Sequence, residues 1–150
     1  MNKRLIGVSI IFLIAVLAMG SASAVSHDFD GQFSMNIPKG TTFQKEDMSN
    51  GEEEINILYM NDELMVEYLD SVYFSEESSK YFYQTAFEMV NSDLNQCYET
   101  QEGNVTLLQP VTSDGQHFPM AFVGSGHKMV IVIGEDASSI KKMAESVVFE

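Results

Sequence analysis

The segment His27-Asp28-Phe29-Asp30-Gly31-Gln32-Phe33 sets two carboxylates and a glycine at the spacing of a cation-binding loop. An EF-hand calcium loop needs oxygen ligands at alternate positions, a glycine at the sixth and a glutamate at the twelfth. With Gly31 sixth, Ser26, Asp28 and Asp30 fall at the first, third and fifth positions, but Ile37 falls at the twelfth. With Asp28 first, Phe33 stands where glycine is required. Both registers fail, so Asp30-Gly31 is read as turn chemistry ahead of the alternating Phe33, Met35 and Ile37. No metal ligand is assigned.

The remaining polar groups give no catalytic constellation. Glu52-Glu53-Glu54 lies in a polar loop and reads as solvated, and Glu67 and Asp70 point to opposite faces of a regular strand. His27, His117 and His127 lack metal-ligand spacing; His27 falls in an expected N-terminal tail and the others near strand starts. There is no G-x-S-x-G elbow, Walker loop or dinucleotide fingerprint. Gly124-Ser125-Gly126-His127-Lys128 has the composition of an anion nest, yet it leads into a strand and is read as a hairpin connection. Asn104-Val105-Thr106 is an N-x-T sequon, a glycan acceptor on an exported chain whose source has that machinery. No catalytic residue and no cofactor is therefore expected.

The elements that must position these groups follow from periodicity. Strands are predicted at the Phe33–Ile37 alternation, at Thr41–Lys45, at EINILYM (54–60) and at Leu64–Ser71. A helix capped by Ser75 carries one apolar stripe of Phe82, Ala86, Met89, Val90, Leu94 and Cys97. Strands then recur around Tyr98–Gln101, Val105–Leu108 and Gln116–Val123. The continuous run Met129–Ile133 suits a strand covered on both faces, and a helix from about Asp136 to Val147 closes the chain. Cys97, the single cysteine, is read as a small buried hydrophobe on that first helix, and no intrachain disulfide can form. The order predicts an α+β domain with a largely antiparallel sheet packed by two helices.

The N-terminus decides the compartment. Lys3 and Arg4 precede the apolar run Leu5–Gly20, and Ala22-Ser23-Ala24 supplies a small-x-small cleavage pattern. Residues 1–24 are read as a signal peptide, with a retained anchor as the alternative; residues 25–28 follow as a short tail and 29–150 as one domain. All 22 acidic residues lie beyond residue 24, against six of the eight basic ones, so the mature chain carries a net charge of −16. That field repels nucleic acid and anionic lipid, which excludes both as partners and leaves no membrane contact after cleavage.

The leading FSMNIPKGTTF and the closing KKMAESVVFE carry a resemblance to the PsbP-like superfamily. Phe33, Pro38 and Gly40 match its early F-x-hydrophobic-P-x-G segment, and Ser146, Val147 and Val148 its terminal helix end. The resemblance spans about residues 29–150 and implies an α-β-α sandwich used for binding or assembly, usually without catalysis. It places no binding residue on this chain. The leading expectation is a small exported, non-enzymatic binding domain of the cell envelope or extracellular space, with an unknown protein or carbohydrate partner. The alternatives are an exported hydrolase or metal-dependent enzyme with residues converging in space, and an acidic surface protein that binds cations weakly.

Overall fold

The computed structural model describes residues 23–90, 94–112, 114–115, 117 and 119–150. The expected signal segment therefore lies outside the described residues, apart from Ser23 and Ala24. The elements, in chain order, are β1 (Ala24–Phe29), β2 (Phe33–Pro38), β3 (Gln44–Asp47), β4 (Ile55–Met60), β5 (Met65–Asp70) and α1 (Glu76–Val90). They continue with β6 (Leu94–Glu102), β7 (Val105–Thr112), β8 (Met120–Ser125), β9 (Lys128–Ile133), α2 (Ala137–Glu145) and β10 (Val148–Phe149). Seven strands form one antiparallel sheet in the order β3-β4-β5-β9-β8-β7-β6, and β1-β2-β10 form a second, smaller one. This is the expected α+β architecture.

The large sheet is covered on both faces, which is why β5 and β9 read as nearly unbroken apolar runs. On one face Ile57, Tyr59, Val66, Tyr68, Val130 and Val132 meet Phe29, Phe33, Met35 and Ile37 of the small sheet and Ile140, Met143 and Ala144 of α2. On the other, Leu58, Met60, Met65, Leu69, Met120, Phe122, Met129 and Ile131 pack with Tyr83 of α1. A helix thus flanks each face. β2 shows the clean alternation of a strand with one buried side, with Phe33, Met35 and Ile37 inward. β3 is exposed along its length, and its Lys45, Glu46 and Asp47 discourage edge-to-edge pairing.

Several expectations are corrected. Residues 25–28 are not a tail: they lie in β1, whose ladder pairs Val25 with Ile37 and Asp28 with Ser34. Only Phe29 of β1 is fully buried, so hydrophobic periodicity is blind to a strand held by its backbone bonds. The first helix ends at Val90, and Leu94 and Cys97 belong to β6; Cys97 is half-buried against the α1-side core rather than on a helix. The polar Asn91-Ser92-Asp93 between them is the composition of a break. Phe82 is exposed, while Ser79 and Tyr83 turn inward, so the inward face sits one residue from the expected stripe. The side chains of Ala86, Met89, Val90 and Leu94 lie outside the description.

β3, expected from Thr41, starts at Gln44, because Thr41 turns back on Pro38: its N–H (3.2 Å) and its hydroxyl (2.6 Å) both donate to that carbonyl. The eighth strand begins at Met120, directly after Pro119, and Gln116 lies outside the described residues. The closing helix stops at Glu145, where the Ser146 hydroxyl donates to the Met143 carbonyl (2.6 Å) and accepts from Asn36 N–H (2.8 Å). That stop frees Val148 and Phe149 to pair with β2 as β10, a strand too short for periodicity to show.

Candidate functional site

The opening motif is a turn. Phe29 pairs with Phe33, and Asp30 (φ 56°) and Gly31 (φ 71°) take successive left-handed conformations between them. The Asp28 side chain accepts from Gly31 N–H at 2.7 Å. Asp30 Oδ2 accepts from the Tyr59 hydroxyl (2.9 Å) and pairs with Lys45 (2.8 Å). Lys45, then Tyr59, hold the Asp30 carboxyl below its ordinary range, while burial, aided by Asp30, pushes the Tyr59 phenol up. Asp28 thus closes the turn, and Asp30 stitches the small hairpin to β3 and β4.

The other sequence candidates stay apart. His117 precedes β8 and His127 follows it, so the length of a six-residue strand, about 20 Å, separates them. His27 packs edge-on against Phe29 with ring centroids 4.6 Å apart. Ser125 pairs with Lys128 across Gly126-His127, so the glycine-rich string is the expected hairpin turn. Asn104 is exposed beside Gly103 (φ 61°) in the β6–β7 turn, and Thr106 of its sequon is buried. Glu54 closes its loop on Asn50, through the backbone at 2.8 Å and the side chain at 3.2 Å. Among the described residues no three His, Cys, Asp or Glu side chains converge as metal ligands.

A group that periodicity passed over is Glu67. It occupies the middle of the row Leu58–Glu67–Ile131–Phe122 that crosses β4, β5, β9 and β8 beneath α1. The signal was present in the sequence: Glu67 stands between Met65 and Leu69 on one apolar stripe. The Tyr83 hydroxyl of α1 donates to Glu67 Oε2, and the Asn56 side chain also bonds the carboxyl. Asn56 Oδ1 is buried without a partner. Burial pushes the Glu67 carboxyl up, and the bonds from Tyr83 and Asn56 only partly oppose it. Burial, reinforced by Glu67, raises the Tyr83 phenol well above its ordinary value, so it remains a donor. On the opposite face of β5, burial and then Asp70 push Tyr68 up to about 12.

The surface has a contrasting feature. Val72 (64% exposed), Tyr73 (70%), Tyr81 (72%) and Phe82 (44%) stand in solvent along the loop into α1 and the outer side of that helix. Tyr81 lies two residues from both inward-facing Ser79 and Tyr83, about 200° around the helix from each. Nearby acids are present as well: Lys80 is drawn to Glu77 (3.1 Å), Glu76 (3.8 Å) and Glu99 (3.0 Å).

No family model and no curated protein matches this chain. Among solved structures it is similar to the solution structure of cyanobacterial PsbP from Synechocystis sp. PCC 6803, at 12% identity and a TM-score of 0.46, over 92% of this chain and 99% of that one.

Proposed function

We infer that the chain is a small exported binding or assembly domain without catalytic function, acting at the cell envelope or outside it. The observation that carries this reading is the concentration of exposed apolar and aromatic side chains, Val72, Tyr73, Tyr81 and Phe82, on and just before α1. Large rings held mostly in water are the material of docking surfaces, where Tyr and other aromatics supply contact area at low entropic cost. Its partner is a protein or carbohydrate surface able to stack on those rings. Export is supported by the Lys3–Gly20 basic and apolar start and by Ala22-Ser23-Ala24. Cleavage after Ala24 leaves Val25–Phe29 paired with β2.

The test compares capture of envelope proteins and a panel of immobilised glycans by the full chain and by a Tyr73→Ser, Tyr81→Ser, Phe82→Ser variant. The expected result is a saturable partner that is lost, or weakened more than tenfold, in a variant with an unchanged melting temperature. Equal capture by both chains, or no saturable partner for the parent, would overturn the assignment.

A further inference from the structure

Glu67 is an acidic side chain set inside the core, and among the described residues no cation pairs with it. The groups set against it are Tyr83 from α1, Asn56 from β4, and its row neighbours Leu58 of β4 and Ile131 of β9. Tyr83 is the titratable one among them. Glu46 shares the row but lies beyond Leu58 on exposed β3, and Lys80 of α1 is committed to Glu76, Glu77 and Glu99. An ionised carboxylate here would be a buried charge without a counter-charge, an arrangement a protein avoids by keeping the proton. The neutral acid has a proton to donate, and Asn56 Oδ1 is the buried acceptor beside it that receives none.

The bond partner of Glu67 also has a mechanical role. Tyr83 reaches inward from the middle of α1, meets Phe122 at a ring distance of 6.4 Å and donates to Glu67. Beneath it lies a face carrying Met60, Met65, Met120 and Met129, with Met48 at its margin. Methionines pack adaptably, so this face does not depend on one fixed complement.

We propose that Glu67 and Tyr83 form a proton-operated latch: with Glu67 neutral, α1 stays seated on the sheet, and loss of the proton releases α1 from the methionine-rich face. The sign follows from linkage. Opening lets water reach the carboxyl, whose ordinary value is about 4.3. Closure is then at full strength below about 4.3 and weakens about tenfold per pH unit as pH rises toward the raised folded value. Above that value the loss levels off.

Amide hydrogen exchange across pH on the full chain, with Glu67→Gln and Tyr83→Phe variants, tests the latch. After correction for intrinsic exchange, protection of α1 in the parent should fall about tenfold per pH unit in that window, while β8 and β9 change little. Glu67→Gln should remove the slope, and Tyr83→Phe should lower α1 protection at every pH while keeping the slope. Equal slopes in the parent and Glu67→Gln would overturn the proposal, as would loss of α1 protection only together with β8 and β9. A carbon-13 titration of the parent's Glu67 carboxyl provides a second reading that needs no variant. Its midpoint must coincide with the levelling of α1 protection, and ionisation near 4.3 with α1 still protected would refute the latch.

Discussion

Phe29→Ala tests whether β1 is integral to the domain or a dispensable lead-in. Phe29 is 1% exposed, and its ring centroid lies 4.4 Å from Phe33, 4.6 Å from His27, 4.9 Å from Tyr59 and 5.5 Å from Phe43. It therefore joins the small sheet to β4 of the large one. Truncating a buried phenylalanine costs about 3–5 kcal/mol, through lost transfer energy and the cavity left behind. His27 and Phe43 are only partly buried and can relax into the gap, which places the expectation near 4 kcal/mol. For a domain of about 125 residues, with an unfolding entropy near 2.1 cal/mol/K per residue, that lowers Tm by about 15 °C. Urea unfolding followed by circular dichroism gives the free energy, and an unchanged slope shows that the same surface unfolds. Val25→Ala, on the exposed start of β1, serves as the control and should cost less than about 0.5 kcal/mol. A loss below about 1 kcal/mol for Phe29→Ala would refute the packing described for the two sheets.

Two further substitutions probe the far end of the sheet. A Cβ on Gly134 would sit 2.9 Å from Ile140 Cγ2, so Gly134→Ala should overpack the β9–α2 junction and cost about 1–3 kcal/mol in urea unfolding; a neutral result would show that Ile140 has room to give. Asp136 caps α2 by accepting from Ser139 N–H at 2.9 Å, so Asp136→Ala should cost about 1 kcal/mol at neutral pH. Those bonds from Ser139 hold the Asp136 carboxyl below its ordinary value of about 3.9. The cap's contribution is thus complete above about 3.9 and lost as pH falls through the lower folded value, so the difference between parent and variant should narrow in acid.

The legible parts of the fold are those where burial imposes a period. Phe33, Met35 and Ile37 alternate, Met129–Ile133 run without a break, and Ile140, Met143 and Ala144 recur on one helix face; each is buried as its pattern required. What escaped is held by backbone bonds or by turn chemistry, which leave little hydrophobic trace. β1 is polar because its edge faces water, and β10 is only two residues long. The stripe from Phe82 to Cys97 looked continuous because apolar spacing alone cannot register that a helix ends at Val90 and a strand starts at Leu94. The same limit applies to the candidate site. Counting ligand positions was enough to set aside the Asp28–Asp30 ion loop, because the requirement was local. Glu67 was seen as an acid on a strand, but its burial depends on α1 and β9, which come from elsewhere in the chain.

The order of the large sheet has a consequence for folding. β3, β4 and β5 form one meander and β6 to β9 another, and the two join only where β5 pairs with β9. Wherever the chain folds, β5 keeps an unpaired border until the second meander has joined it. An exposed strand bearing Val66, Tyr68 and Leu69 is an invitation to neighbouring chains. During that interval Glu67 is open to water, and its ionised carboxylate disfavours pairing that sets it opposite the same residue of a second copy. The residue that sits under a helix in the finished molecule thus also disfavours the wrong strand pairing while β5 waits for β9.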